Sequence, residues 1–329
     1  MEKFQNVISG LKADLARVDD IILEFSVGKS PLIQEIARHL VSSGGKRIRP
    51  VILLLSSRLC GSKDFRPHNL GAAVELIHTA TLLHDDVVDN SMIRRGKKTS
   101  NAIWDNKSSI LVGDYLFSVA FQLMVRDGNL QVLDLLSKAS GIMADGEVMQ
   151  LENSSDLKIT QEKYFEIIFG KTPVLFSAAC EVGALINNRP EQEVIALREF
   201  GKNLGIAFQI IDDVLDYSAE ERVLGKDLGN DLFEGKVTLP IILTYSLADA
   251  EDKKFIEDVF MKYLMTPEKD QDDLVKILQM MEKYKTLEMT KNKALFHKEQ
   301  AIKNLSIFSD QSAKEDLKTI LDYSLARIF

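Results

Sequence analysis

The sequence predicts an all-α protein, a single-domain bundle of about ten or more helices around a central cavity, and three observations carry that reading. Apolar residues recur with a period near 3.6 along almost the whole chain, and no run alternates as a half-buried strand would. Pro (7) and Gly (18) are too sparse to punctuate a chain of many short strands. With 329 residues, 45% of them hydrophobic, and no Pro/Gly/Ser-rich linker or low-complexity tract, residues 1–329 can build one large core.

Taken in order, Phe4, Val7, Leu11, Leu15, Val18 and Ile22 recur at threes and fours and predict a first amphipathic helix ending near Gly28. Pro31 opens a second helix that runs to Ser42 and stops at Gly44-Gly45. There follows the basic junction Lys46-Arg47-Ile48-Arg49-Pro50, then a strongly apolar helix through Leu59. Helices are predicted over 68–90, 105–126, 129–151 and 191–218, with a short apolar one over 237–248. Residues 161–187 read as one helix kinked at Pro173. The remainder, to Phe329, reads as amphipathic helices with charged outer faces.

The chain is organised around a motif that occurs twice: Asp85-Asp86-Val87-Val88-Asp89 and Asp212-Asp213-Val214-Leu215-Asp216. Residues four apart share a helix face, so Asp85 and Asp89 form one carboxylate ladder and Asp212 and Asp216 another, while Asp86 and Asp213 point about 100° away. Ladders facing one another across a bundle would repel unless divalent cations sat between them, and oxygen ligands at this density suit Mg²⁺. Because Mg²⁺ completes its shell with water and substrate phosphates, the implied ligand is a phosphate or diphosphate. An isolated acid pair is ordinarily solvated surface. Asp19-Asp20 and Asp272-Asp273 fit that bland description, with Leu23 and Lys276 where the third acid would stand. The two full motifs differ from them in being embedded in Leu, Ile and Val.

Composition excludes several classes. A net charge of −8 leaves no basic stripe for nucleic acid. Cys60 and Cys180 stand singly in apolar helical context, which reads as buried thiols in a reducing, cytoplasmic compartment. The first 27 residues alternate charge with apolar side chains and have no signal-like core, and no transmembrane segment is expected.

Cations accompany the ladders: Lys46 and Arg49, Arg94-Arg95-Gly96, Lys171, Lys226 and Lys236. Singly, each would be solvent-facing. Together, G-G-K-R-I-R-P, L-L-H-D-D-V-V-D-x(4)-R-R-G, G-K-T, F-Q-I-I-D-D-V-L-D and G-K-D-L-G-x-D-L-x-E-G-K, in that order over residues 40–240, resemble the trans-isoprenyl diphosphate synthases, nearest the long-chain, octaprenyl-like branch.

The resemblance implies a prenyltransferase that condenses isopentenyl diphosphate head-to-tail onto an allylic diphosphate such as farnesyl diphosphate, making a long all-trans product for a quinone side chain. It places Lys46, Arg49, His78 and Arg95 on the isopentenyl diphosphate. Arg94, Lys171, Thr172, Gln209, Lys226 and Lys236 fall around the allylic diphosphate. Asp85, Asp89, Asp212 and Asp216 match the magnesium ligands, with three ions per active site, and the chemistry falls to Asp85, Asp89, Lys171, Asp212 and Lys226. His78 also fits by geometry, lying about two turns before Asp85 on nearly the same face. Pro173 and Lys98 depart from the alanine and proline usual in the family, and the chain ends Leu325-Ala326-Arg327-Ile328-Phe329 rather than in a basic tail. A homodimer is expected, as is transient membrane contact on product release.

Product length is read from the residues under the first ladder. Thr81 lies about one turn before Asp85 with Ala80 beside it, and both are small where short-chain relatives carry an aromatic side chain. A growing tail can pass them. Phe117, Phe121 and Met124 form a bulky stripe farther down, and Met124 with Leu136 on the next helix are the candidate floor. Three rival readings are weighed: a class I terpene cyclase, whose second metal motif is of an Asn/Asp-Ser/Thr-Glu type absent here; a non-catalytic synthase subunit, which would have lost acids or arginines; and a short-chain synthase.

Overall fold

The first predicted helix is two. In a computed structural model that describes residues 2–28, 30–42, 45–94, 96–218, 228–266, 269–309 and 311–326, α1 (Glu2–Gly10) and α2 (Lys12–Phe25) part at Leu11, whose backbone leaves the helical region while its side chain stays buried. Periodicity could not show the break, because the apolar stripe continues through it. Next come α3 (Pro31–Ser42), α4 (Ile48–Leu59) and α5 (Arg66–Val88). A two-residue ribbon follows, β1 (Ile93–Arg94) antiparallel to β2 (Lys97–Lys98), and then the one-turn α6 (Ser100–Ile103). Neither was legible from the sequence, since two residues cannot display an alternation.

The helix α7 (Asn106–Asp127) starts where the Asp105 side chain accepts the Ser108 N–H at 2.6 Å and stops at Gly128. Then follow α8 (Leu130–Glu152) and α9 (Gln161–Lys171), the latter capped by Thr160. The expected kink at Pro173 is a full break: α9 ends at Lys171, Thr172 leaves the helical region, and Pro173 opens α10 (Pro173–Leu185). A proline there has no N–H to donate and disfavours helix in the residue before it. The chain continues as α11 (Glu191–Asp216), α12 (Asn230–Phe233), α13 (Leu239–Leu247), α14 (Ala250–Met265), α15 (Gln271–Lys283), α16 (Thr286–Asn304), a 3₁₀ turn (Leu305–Ile307) and α17 (Ser312–Leu325). The all-α expectation holds, with the ribbon the one sheet among the described residues.

Two compact units emerge. The first comprises Met1–Ser140, Leu175–Gly201 and Asn304–Ile320. Its centre is α5, buried from Leu70 through Ile77 and packed chiefly on α7, with α2 and α4 alongside. Among the described residues α7 alone is long and apolar enough to cross a membrane by length and composition. Its face of Val112, Leu116, Val119, Ala120, Leu123 and Met124 is instead buried in this unit's core. Arg66, at the start of α5, grips Asp127 at the end of α7 through two bonds of 2.8 and 2.9 Å and donates a third to the Ile186 carbonyl at 3.0 Å. Such a fork is geometrically specific and fixes the two helix ends together.

The second unit comprises Gly141–Val174, Lys202–Lys303 and Leu321–Phe329. Its core gathers Tyr217, Leu232, Ile241, Ile256, Phe260, Ile277 and Met281. Near Lys171 two close approaches bring backbones together, α8 on the end of α9 and α11 on the start of α10. Gly170 meets Gly146 of α8 backbone to backbone, and just beyond, Pro173 meets Gly205 of α11. All five crossings of the chain between the units fall inside helices, within α8, α10, α11, α16 and α17, and none in a linker.

A Cβ added at Gly146 would lie 2.9 Å from the Gly170 Cα and 3.2 Å from the Lys171 nitrogen, backbone atoms that cannot swing aside. Gly146→Ala is expected to destabilise by about 1–3 kcal/mol. Gly141→Ala on the same helix, where a Cβ would meet nothing within 4 Å, is expected to be neutral or stabilising by up to about 1 kcal/mol. Urea unfolding of both variants checks the pair.

Candidate active site

The first ladder occupies the carbonyl end of α5. The Asp89 N–H donates to the Asp85 carbonyl at 2.8 Å, so Asp85, Asp86 and Asp89 crowd the final turn, which holds no basic residue. That end of a helix carries partial negative charge, so three acids there are mutually and dipolarly unfavourable without a cation. Asp85 and Asp89 are half-buried. Asp86, about 100° off the ladder face, is turned inward, 5% exposed, and accepts from Arg94 Nε at 2.8 Å. Burial pushes its carboxyl up and Arg94 opposes the shift. Arg94, expected on the allylic diphosphate, thus spends one of its donors on the ladder's own middle acid.

The ribbon that carries Arg94 is clasped to α3. Lys97 Nζ donates to the Ser42 carbonyl at 2.9 Å, and His39 Nε2 lies 3.2 Å from the Lys98 carbonyl. In the same unit Lys46 is exposed, Arg49 is half-buried with its guanidinium carbon 4.8 Å from the Phe176 ring centroid, and His78 is half-buried on α5. Ala80 is buried, and the Thr81 hydroxyl donates back to the His78 carbonyl at 2.9 Å. Phe117 and Phe121 stack edge to face at 5.3 Å, while Met124 and Leu136 are wholly buried, as core residues would be. Arg95 lies outside the described residues.

The second ladder closes α11. Here too the last turn of a long helix, ending at Asp216, holds no basic residue. Asp212 is half-buried and Asp213 is 3% exposed. Asp213 accepts from Tyr164 Oη at 2.5 Å and Gln209 Nε2 at 3.0 Å, and Gln209 Oε1 in turn accepts from Thr172 Oγ1 at 2.8 Å. Burial, then the charges of Asp231 and Asp212, raise the Asp213 carboxyl to about 7 despite the bonds from Tyr164 and Gln209. Burial likewise raises Asp231, against the pull of Lys236 and Lys171. The unit is oversupplied with negative charge, which is the environment a divalent cation relieves.

Asp216 has a task the spacing did not reveal. Its carboxylate accepts the Asn230 N–H at 3.1 Å and the Asp231 N–H at 3.0 Å, and its carbonyl accepts the Gly229 N–H at 2.8 Å. This acid holds the turn that carries Asp231.

A pocket of about 60 Å³ in the second unit is lined by Gln150, Tyr164, Lys171, Gln209, Asp213, Asp231 and Lys236, among others. Lys171 Nζ donates to Gln150 Oε1 at 2.9 Å, and Lys236 lies 2.7 Å from Glu234. Two ammonium groups and two carboxylates around one small space suit an anion bridged by a cation. Lys171, Gln209 and Lys236, expected around one diphosphate, are brought together here, with Thr172 one bond behind them. Lys226 lies outside the described residues. Sequence reasoning missed Gln150, Tyr164 and Asp231. Asp231 stands inside the quoted G-K-D-L-G-x-D-L-x-E-G-K motif and could have been singled out, whereas nothing local marks Gln150 or Tyr164.

Comparisons with known proteins bear on the family and the fold. The family model described as polyprenyl synthetase matches residues 30–281. Octaprenyl diphosphate synthase of Escherichia coli is 40% identical over 308 residues, 92% of this chain and 93% of that protein. A decaprenyl diphosphate synthase from Rhodobacter capsulatus superposes with a TM-score of 0.94 at 42% identity, covering 99% of each chain. A polyprenyl synthase from Caulobacter crescentus, solved with calcium and isoprenyl diphosphate, gives 0.92 at 38% identity, covering 98% of this chain and 97% of that one.

Tyr164→Phe removes a donor from the buried Asp213 carboxylate and leaves its place empty. It is expected to lower stability by about 1–3 kcal/mol, read by urea or thermal unfolding.

Proposed function

The chain belongs to the polyprenyl synthetase family, and from that premise we propose that it is a magnesium-dependent trans-prenyltransferase extending an allylic diphosphate with isopentenyl diphosphate to a long all-trans product of about eight isoprene units. The observation that carries the metal and diphosphate reading is electrostatic. Each Asp motif occupies the negative end of a long helix with no basic residue in its last turn, and the second shares its unit with a pocket that holds Lys171 and Lys236. The half-buried Asp85, Asp89 and Asp212 are the residues that would hold magnesium, which when bound would neutralise diphosphate charge.

Lys171, Gln209 and Lys236, with Lys226 on the resemblance, hold the allylic diphosphate and favour the charge that builds on it as its C–O bond ionises. Thr172 orients Gln209, and Gln150 orients Lys171. Lys46, Arg49 and His78, with Arg95 on the resemblance, hold the diphosphate of isopentenyl diphosphate, whose double bond attacks the allylic carbon. A proton is then lost to the released diphosphate, for no side-chain base is assigned. Apolar walls exclude the water that would quench the cation.

We read the chain as one domain, since every crossing between its units runs through a helix. Ile110, Leu111 and Val125 stay exposed on α7, apolar side chains that a homodimer interface along this helix would cover. Buried thiols at Cys60 and Cys180, raised to about 12 by burial, fit the cytoplasmic expectation.

Purified protein with farnesyl diphosphate and isopentenyl diphosphate is expected to elongate the chain only when Mg²⁺ is present. Asp85→Ala and Asp212→Ala should each cut turnover about a hundredfold or more with the helical circular dichroism unchanged. Near wild-type turnover of either variant would remove the metal reading. Chromatography of the dephosphorylated products checks length separately. Ala80→Phe or Thr81→Phe is expected to shorten the product toward about fifteen to twenty carbons, because a ring one turn from Asp85 would block the tail. A doubly substituted variant with an unchanged main product would show that the tail does not pass α5.

A further inference from the structure

Beside Lys46 and Arg49 the basic junction carries a third cation, Arg47, to which neither the motif nor the mechanism gives a task. Its backbone sits at φ 47 and ψ 37, the left-handed region where a residue with a Cβ is disfavoured. Such a conformation lasts only where the surroundings over-determine it. Arg47 Nε donates to Asp19 on α2 at 3.1 Å, Nη1 to Glu75 on α5 at 3.0 Å, and Nη2 reaches the Val41 carbonyl in the last turn of α3 at 3.4 Å. Its own carbonyl accepts the Val51 N–H at 2.9 Å and so starts α4. One residue ties four helices.

The side chains of Arg47 and Glu75 are only 12% and 8% exposed, so these charge-assisted bonds act where water screens them little. One positive and two negative groups leave this cluster at −1, which would repel a diphosphate rather than receive one. Glu75 lies three residues before His78 on α5, so the Arg47–Glu75 bond sets the backbone that presents Lys46 and Arg49 against the helix that presents His78. We propose that Arg47 is a positioning residue for isopentenyl diphosphate: held by Glu75 and Asp19, it fixes the left-handed turn flanked by Lys46 and Arg49 and does not itself touch the substrate. This rests on the reading of Lys46, Arg49 and His78 as that substrate's site.

The test is steady-state kinetics with each substrate varied separately, beside thermal unfolding and calorimetry of isopentenyl diphosphate binding. Arg47→Lys keeps the charge and loses the fork. It is expected to raise KM for isopentenyl diphosphate about tenfold while kcat at saturation and KM for the allylic substrate stay within about twofold. Asp19→Asn, at the more exposed partner, tolerates the change best and should give about a threefold rise. Glu75→Gln separates the two possible roles. A positioning Arg47 loses its anchor and KM rises about three- to tenfold, whereas an Arg47 that contacts the diphosphate is released toward it and KM falls.

A fall in that KM overturns the proposal. So do equal effects on both substrates, or lowered melting temperatures with an unchanged KM for isopentenyl diphosphate in Arg47→Lys and Asp19→Asn. A wild-type chain that binds no isopentenyl diphosphate in calorimetry overturns the site reading and the proposal with it. A wild-type chain that binds while the variants bind equally well overturns the proposal alone.

Discussion

Carboxylates gathered at the carbonyl ends of α5 and α11 set the terms for everything placed near them. Each helix terminus already bears partial negative charge, and each adds three acids to it with no basic residue in the same turn. The middle acid of each trio is taken inside and satisfied by the protein itself, Asp86 by Arg94 and Asp213 by Tyr164 and Gln209. The remaining acids are half-buried or, in Asp216, bound to backbone. Burial first, and then the negative charge of Asp231 and Asp212, raises the Asp213 carboxyl to about 7 even with two donors in place. The cations Lys171 and Lys236 oppose the same effect at Asp231.

Positions this charged are held in place by contacts outside the ladders themselves. The Lys171-Thr172 segment is located by two approaches too close for side chains, Gly170 on Gly146 and Pro173 on Gly205. The proline that departs from the family's usual alanine sits against a glycine, whose missing Cβ leaves room for the Pro173 backbone. In the first unit the bidentate grip of Arg66 on Asp127 and the apolar interior of α5 do the corresponding work on the first ladder's helix.

The two ladders, the helix class and most helix bounds were legible because they depend on local period and spacing. Helix geometry places Asp86 and Asp213 about 100° off the ladder face, and the structure shows that this other face is the buried one. What stayed hidden depends on partners far along the chain. Leu11 breaks a helix without breaking the apolar stripe. Gln150 acquires meaning only when Lys171, 21 positions away, arrives beside it. Asp19 belongs to an acid pair that read as solvated surface, yet it holds Arg47. The ribbon at 93–98 has too few residues to announce itself, and it carries Arg94.

Asp216 illustrates how a motif can be kept for two unrelated reasons. Both oxygens of its carboxylate receive backbone amides, so the residue serves as a template on which the stretch from Gly229 to Asp231 is moulded. An amide at this position would turn one acceptor into a donor facing another donor, and the moulded stretch, Asp231 with it, would lose its form before any question of metal arose. The first consequence of a change at Asp216 is therefore read in loop shape. The three acids of the second motif are unequal: Asp212 is left half-buried, Asp213 is taken up by its internal bonds, and Asp216 by the folding of a segment that begins a dozen residues later.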